Sequence, residues 1–193
     1  MSFARTLAAI ATVPMAATLY FGVFWTWFAF WRRHPVLTYT LMLGTLGGVV
    51  VIVYAYRADL LAPTFEPHVA VRIVGWIILA LAMLLACIAD RQLGFRVRSF
   101  APFFDDDAKI TLRATGSYAV VRHPIYASGI YFQIGVFLVT GVAAVAMSCV
   151  MFGLGALWFT RQEERRLRER LVDPTAYDRY RARVPALLPW PRP

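Results

Sequence analysis

Charged residues are scarce in this chain. Asp, Glu, Lys and Arg together make up 16% of the 193 residues, whereas hydrophobic residues make up 60%. A soluble domain of this size could not keep so much apolar surface away from water, so the balance excludes that class and predicts an integral membrane protein. An aromatic share of 15% agrees with this, because Trp and Tyr gather at the two interfaces of a bilayer.

Cysteines and acidic residues are also few. The two cysteines, Cys87 and Cys149, both lie within apolar runs, which indicates neither a disulfide framework nor a metal site. Eleven acidic residues against 20 basic ones leave a net charge of +9. Because the basic residues flank apolar runs, orientation in the membrane and attraction to anionic headgroups explain this excess, and we expect no nucleic-acid binding.

Three apolar runs occupy the first half of the chain, over residues 7–31, 36–56 and 71–89. A helix rises ~1.5 Å per residue, so each run is long enough to cross the ~30 Å hydrocarbon core of a bilayer. The first run is too long for the apolar part of a cleavable signal peptide, and no small-residue cleavage site follows it. We therefore expect three N-terminal transmembrane helices within residues 1–90.

A further apolar stretch, residues 125–160, is too long for one spanning helix and suits two closely paired ones. Thr140 and Gly141 mark the turn between them. The sequence thus predicts an all-α polytopic membrane protein with about five transmembrane helices, the last two forming a helical hairpin. We treat residues 1–193 as a single membrane domain, in which three spans occupy residues 1–90 and residues 91–193 form the second half.

The distribution of basic residues predicts the orientation. With five spans and the N-terminus outside, 17 of the 20 Lys and Arg residues fall on the inner side, and only Arg5, Arg57 and Arg72 do not. The C-terminus is then cytoplasmic. Nineteen of these basic residues are Arg and one is Lys, a bias that suggests a GC-rich bacterial genome and hence a bacterial inner membrane.

The tail that begins at Arg161 mixes charges with apolar residues. Leu167 and Leu171 recur at helical spacing, and Pro174 ends or breaks that helix. Tyr177 and Tyr180 would lie one turn apart along the membrane interface. The pattern predicts a cytoplasmic C-terminal amphipathic helix.

An acidic triplet, Asp105, Asp106 and Asp107, lies in the polar segment before the hairpin. Asp-rich motifs bind magnesium in prenyl-transfer enzymes, where a second acidic cluster completes the site. No matching second cluster occurs in this sequence. We therefore favour a solvated turn over a metal site.

Two ionisable clusters mark the two ends of the predicted hairpin. Arg122 and His123 precede it, and Glu163 and Glu164 follow it. Taken singly, each residue has an ordinary explanation as a membrane anchor or a solvated charge. Because a hairpin brings its two ends together, the clusters should meet on the cytosolic side, and together they predict a functional site.

The helix that opens the hairpin carries polar side chains inside its apolar run. Tyr126 and Gln133 are seven residues apart, so they share one helical face. An amide within a membrane span usually marks a contact inside the helix bundle. We regard Gln133 as a candidate substrate-binding residue.

Several short motifs in residues 112–190 form a recognisable set. In chain order they are Leu112-x-x-Thr115-Gly116-x-Tyr118, Arg122-His123-Pro124-x-Tyr126, Glu163-Glu164-x-x-Leu167, Tyr177-x-x-Tyr180, Val184-Pro185 and Leu188-Pro189. This set resembles the signature of the isoprenylcysteine carboxyl methyltransferase family, which is grouped with the phospholipid N-methyltransferases among integral membrane methyltransferases. The first three spans resemble that family only in being apolar.

The resemblance implies an enzyme that moves a methyl group from S-adenosylmethionine to a lipophilic acceptor in the membrane. Glu163 or Glu164 would hold the amino group or ribose of the cofactor, and Gly116 and Tyr118 would shape its lid. The cofactor-binding residues that it implies are Gly116, Tyr118, Arg122, His123, Tyr126, Glu163 and Glu164, with His123, Glu163 and Arg122 as the catalytic residues. The resemblance thus makes residues 91–193 the catalytic and cofactor-binding half of the domain.

The sequence does not identify the molecule that accepts the methyl group. A carboxylate acceptor, as in an isoprenylcysteine, needs no base, whereas an amine must lose a proton to His123 or a glutamate. A bacterium would not obviously supply a prenylated protein, so a lipid acceptor entering from the bilayer is at least as well supported. The alternatives are an NADPH-dependent membrane reductase of the sterol and steroid type, and a non-enzymatic membrane partner.

Overall fold

The computed structural model describes residues 2–93, 112–171 and 173–189, and these residues are helical with no strand among them. The all-α prediction is therefore confirmed. The acidic triplet of residues 105–107 lies outside the described residues. The helices are α1 (Phe3–Thr12), α2 (Met15–Thr26), α3 (Phe28–Arg33), α4 (Pro35–Ala55), α5 (Arg57–Leu60), α6 (Val69–Leu93), α7 (Ser117–Val120), α8 (Pro124–Thr140), α9 (Ala143–Arg170) and α10 (Pro174–Arg183).

Four helical segments are long and apolar enough to cross a membrane: Phe3–Phe24, Pro35–Ala55, Val69–Leu93 and Ala143–Glu169. The protein is an integral membrane protein, as its composition predicts. The first member of the hairpin, α8, is apolar but has only 17 residues. The predicted total of five spans depends on this shorter helix and stays a prediction.

The hairpin between α8 and α9 turns at Gly141, where the sequence predicts it. Gly141 has a φ of 65° and its amide donates to the Phe137 carbonyl at 2.8 Å. A Cβ at this position would lie 2.1 Å from the Phe65 carbonyl oxygen. Only glycine satisfies both the positive φ and this close approach.

The first span is one continuous run in the sequence but not one helix in the structure. Pro14 has no amide hydrogen, and α1 ends at Thr12, two residues before it. The Ser148 hydroxyl of α9 lies 3.3 Å from the Ala11 carbonyl oxygen and 3.2 Å from that of Thr12. A polar side chain of α9 thus lies against the backbone of α1 where this helix breaks.

Helices α6 and α8 pack closely through two glycines. A Cβ added to Gly75 would lie 2.9 Å from the Gly135 carbonyl oxygen, and one added to Gly135 would lie 2.9 Å from that of Gly75. Small residues let two backbones approach in this way. The antiparallel pair places the end of α6 beside the start of α8, at the end of the bundle where the ionisable residues lie.

The C-terminal helix α10 is amphipathic, but its apolar side faces protein. Tyr177 and Tyr180 are 2% and 8% exposed, and they pack with Leu167, Leu171 and Leu112. The sequence predicted that these two tyrosines lie along the membrane interface. They instead pack over the end of the hairpin that carries the ionisable residues, because the C-terminal part of α9 and the residue that follows it offer them the apolar side chains of Leu167 and Leu171.

Candidate functional site

The two ends of the hairpin meet in a buried ion-pair network. The Arg122 guanidinium donates to Oε1 of Glu164 from Nε at 2.9 Å, and its Nη2 lies 2.8 Å from the same oxygen. Nε2 of His123 lies 3.0 Å from that oxygen as well. The two clusters predicted from the sequence are therefore in direct contact.

Local sequence explains how each side chain reaches this point. Pro124 occupies the first turn of α8, where its fixed φ suits a helix start. The His123 carbonyl accepts the first helical hydrogen bond, from the Ala127 amide at 3.0 Å. On the other side, α9 continues without a break from Ala143 to Arg170. Its last three turns carry Glu163 and Glu164 out of the apolar region and beside His123.

His123 lies between two carboxylates. Its Nε2 contacts Glu164, and its Nδ1 lies 3.5 Å from Oε2 of Glu163. The imidazole is only 9% exposed, and this burial by itself lowers the pKa of His123. The hydrogen bonds and charges of the two carboxylates outweigh burial and raise the pKa of His123 to about 9. The imidazole is therefore a cation at neutral pH.

The two adjacent glutamates differ in their access to solvent. The Glu164 side chain is 10% exposed and the Glu163 side chain is 47% exposed. Glu164 serves as the internal partner of Arg122 and His123. Glu163 is the carboxylate that a molecule from outside can reach.

Arg122 also fixes the C-terminal segment of the protein. Its Nη1 donates to the carbonyl oxygen of Val184 and, at 3.3 Å, to that of Arg181. Its backbone amide donates to the Pro185 carbonyl at 2.8 Å, and the His123 amide donates to the Ala186 carbonyl at 3.0 Å. We call residues 184–187 the tail strap. All three side-chain nitrogens of Arg122 are thus used within the protein.

The tail strap contains a motif that is visible in the sequence, but its role is not. Val184-Pro185 belongs to the motif set, yet nothing in its residue types shows that both of its carbonyls accept hydrogen bonds from Arg122. A further bond comes from the Tyr131 hydroxyl, which donates to the Leu187 carbonyl at 2.9 Å. Such main-chain acceptors are visible only in the folded protein.

Gly116 has a backbone conformation that strongly favours glycine, with φ 62° and ψ −128°. A Cβ there would lie 1.8 Å from Nε2 of Gln92. Gln92, at the end of α6, donates to the Thr115 carbonyl at 3.3 Å and accepts from the Ser117 amide at 3.1 Å. Gln92 was not predicted as a site residue, since a single amide after an apolar run has no distinctive pattern in the sequence.

Aromatic rings surround the charged network. The Tyr126 ring lies 6.0 Å from the His123 ring and 5.6 Å, edge-on, from the Phe159 ring, measured between centroids. The Tyr118 carbonyl accepts a hydrogen bond from the Tyr180 hydroxyl at 2.6 Å. Burial, followed by the negative charge of Glu163, raises the pKa of Tyr118. These rings give the site apolar walls close to Glu163.

Gln133 lies deeper in the bundle, two helical turns along α8 from Tyr126. It is fully buried, its Oε1 accepts from the Ser148 hydroxyl at 2.8 Å, and its Nε2 donates to the Gly129 carbonyl at 3.1 Å. In this structure the amide joins α8 to α9 rather than to the charged network. Its role in substrate binding stays a prediction.

The chemistry available here is that of binding and proton positioning. The site offers one accessible carboxylate, a protonated imidazole and aromatic walls beside the bilayer. Within the described residues, no group of three or more His, Cys, Asp or Glu side chains could hold a metal ion.

Comparison with known proteins identifies the family. The family model described as phospholipid methyltransferase matches residues 70–171, which is more than half of the chain and covers both ionisable clusters. No curated protein and no solved structure matches the chain. The resemblance expected from the motifs is confirmed: the chain belongs to the phospholipid methyltransferase family, within the wider group of integral membrane methyltransferases.

Proposed function

We propose that this membrane methyltransferase uses S-adenosylmethionine as its methyl donor and a lipophilic molecule from the bilayer as its acceptor. The family generally uses this donor. The observation that carries the proposal is the half-exposed carboxylate of Glu163, whose Oε2 lies 3.5 Å from the buried His123 imidazole.

The residues present suit the charges of the donor. S-adenosylmethionine carries a sulfonium, an ammonium, a carboxylate and a ribose. Glu163 offers a reachable carboxylate for the ammonium or the ribose hydroxyls, and it forms an ion pair with the His123 imidazole at 3.5 Å. The aromatic faces of Tyr118 and Tyr126 suit a cationic sulfonium. Gly116 fixes the short turn from which Tyr118 projects.

Arg122 and Glu164 act through other residues. Each is buried, and their partners are each other, His123, Arg181 and the tail strap. We therefore assign both of them as positioning residues, which hold His123 and the tail strap in place. His123 and Glu163 are left as the side chains that touch the donor or acceptor.

The protonation of His123 decides which group can act as a base. With a pKa of about 9, its imidazole already carries a proton at neutral pH and can only donate one. If the acceptor is an amine, Glu163 is therefore the group that takes its proton. A carboxylate acceptor needs no base, and Glu163 then serves in binding alone.

The protein orients the reactants and excludes water, and it does not need to activate the methyl group. The bound donor supplies a methyl group that is already activated by its sulfonium. The walls formed by Tyr126 and Phe159 exclude water, and the network around His123 holds the reactants in line, which lowers the barrier through orientation and avoided solvent reorganisation. An isoprenylcysteine-like carboxylate and a lipid amine both remain candidate acceptors.

The orientation of the protein in the membrane is part of the same proposal. We place the N-terminus outside and the site on the cytoplasmic face of a bacterial inner membrane, where soluble nucleoside cofactors are available. The supporting observation is the excess of Arg at the end of the bundle that carries the site.

Calorimetric titration of S-adenosylmethionine into the detergent-purified protein tests the proposal. We expect saturable binding, weakened about tenfold by Glu163→Gln, since a hydrogen bond to a charged group contributes about 1.5–3 kcal/mol. The control is Glu169→Gln, an exposed glutamate on another side of the same helix. Absence of binding in the wild-type protein would rule the proposal out.

Melting temperatures of the same detergent-purified protein distinguish the methyltransferase from the reductase and from a non-enzymatic partner. A bound cofactor raises the melting temperature by mass action. Stabilisation by NADPH and not by S-adenosylmethionine would support the reductase, and stabilisation by neither would support a non-enzymatic partner. A labelled-methyl assay against total membrane extract would then show which lipid fraction gains label.

A further inference from the structure

A polar cavity lies at the same end of the bundle as the candidate site, where the end of α2 faces α9. Its volume is about 460 Å³, within the range of ~300–1,000 Å³ typical of small-molecule sites. None of its lining residues belongs to the candidate site. They are Thr26, Trp158, Gln162, Arg165, Arg166 and Glu169.

The cavity and the candidate site lie on different sides of α9. Trp158, Gln162, Arg165 and Glu169 recur at spacings of three and four, so they form one side of the helix. Glu164 points to another side, where it meets Arg122 and His123. A molecule in the cavity is therefore separated from His123 by the body of α9.

The charges of the cavity suit an anionic group. Two guanidinium groups and one carboxylate give it a net positive charge. The Arg166 guanidinium lies 3.1 Å from the centroid of the Phe28 ring, a cation–π contact that fixes it in place. Arg165 is exposed. Two guanidinium groups beside the Gln162 amide suit a phosphate, whose oxygens accept several hydrogen bonds at once.

The position of the cavity along α9 matches the level of lipid headgroups. The apolar part of α9 ends at Thr160, and Arg161 is the first charged residue after it. Trp158, just before this boundary, is 39% exposed, as is typical of a ring at the membrane interface. Leu154, four residues earlier on the same side of the helix, is 64% exposed and offers apolar surface to an acyl chain.

From the charge, the depth and the separation from His123, we infer that this cavity binds the phosphate headgroup of an anionic membrane phospholipid. This lipid is distinct from the methyl acceptor. It contacts α9 and the end of α2 together, and so stabilises the helix that carries Glu163 and Glu164.

The test uses the full chain in detergent and phosphatidylglycerol as the probe. Native mass spectrometry should show retained phosphatidylglycerol, with clearly higher occupancy than phosphatidylcholine at the same concentration. Arg165→Gln should weaken this binding about fivefold, the effect of one basic side chain at a membrane surface. Arg166→Gln should act in the same direction, but its packing on Phe28 makes Arg165→Gln the cleaner variant.

The matched control is Arg168→Gln. Arg168 lies on the same helix, is exposed and pairs with Asp178 at 2.8 Å, so its loss should leave lipid occupancy unchanged. Equal retention of phosphatidylglycerol and phosphatidylcholine, or an undiminished signal in Arg165→Gln, would overturn the inference.

Two further measurements distinguish a lipid phosphate from free phosphate, and the cavity from the candidate donor site. If inorganic phosphate raises the melting temperature as much as phosphatidylglycerol does, the cavity is a site for free anions and the lipid assignment is wrong. Arg165→Gln should bind S-adenosylmethionine like the wild-type protein. Loss of that binding would show that the cavity belongs to the donor site and would refute its independence.

Discussion

Nε2 of His123 and Oε1 of Glu164 lie 3.0 Å apart, and this contact joins the start of α8 to the far end of α9. The same oxygen receives the Arg122 guanidinium. One carboxylate oxygen of Glu164 therefore joins the two ends of the hairpin, while the adjacent Glu163 side chain keeps about half of its surface open to solvent.

Glu163→Gln and Glu164→Gln should have different effects. Removing the Glu164 charge leaves the buried Arg122 guanidinium without its carboxylate and His123 with Glu163 alone, which should cost about 3 kcal/mol in the free energy of unfolding. Glu163→Gln should lower the melting temperature in detergent less, because that side chain is half exposed, and should weaken donor binding. If both variants lose stability equally, the division between a positioning and a binding glutamate is wrong.

Arg122→Lys should release the tail strap although it keeps the charge. An ammonium cannot reach Glu164 and the Val184 carbonyl with the fork of a guanidinium. We expect faster cleavage of the C-terminal segment in limited proteolysis and a lower melting temperature. Arg179→Lys is the control, because Arg179 forms an exposed pair with Asp173. Equal cleavage of the two variants would contradict the role assigned to Arg122.

The stability of the protein should fall as the pH rises from about 6.5 to about 9. The pKa of His123 is raised from 6.5 to about 9 in the folded protein, so the folded state binds the proton more tightly than the unfolded state in this window. The contribution is fully present below pH 6.5 and is lost by pH 9; it is on the order of 3 kcal/mol. The measurement is the melting temperature in detergent as a function of pH.

The control for this pH dependence is His123→Gln, which has no titrating ring. Its melting temperature should be lower than that of the wild-type protein at pH 6.5 and should vary much less up to pH 9. A wild-type slope that persists in the variant would assign the dependence to another group.

Gly116→Ala should destabilise the turn before α8. The new Cβ would lie 1.8 Å from Nε2 of Gln92, on a residue with φ 62°, and such strain costs on the order of 1–3 kcal/mol. Gly44→Ala is the matched control, since a Cβ there meets nothing within 4 Å. We expect a lower melting temperature only for Gly116→Ala. Equal melting temperatures would mean that the turn tolerates a side chain.

The sequence determined the class, the hairpin and the two clusters, because each depends on local properties of the chain. The length of the apolar run in residues 125–160 predicts two helices, and the glycine at position 141 marks their turn. Pro174 begins α10 where the sequence predicts a break after Leu171. Pro14 likewise breaks the first span, although we predicted a single helix there. The length of an apolar run and the missing amide hydrogen of proline affect the local structure regardless of the rest of the protein.

Only the tertiary structure decided which residue of each ionisable cluster is buried in the ion-pair network and which is accessible to a ligand. Adjacent residues on a helix project ~100° apart, so no pattern tells which of Glu163 and Glu164 turns inward; the position of α8 beside α9 does. The same holds for Arg122, whose partners include the main-chain carbonyl of Val184, and for Gln92. A carbonyl is present at every position in a sequence, and only the fold brings a particular one within reach of a particular donor.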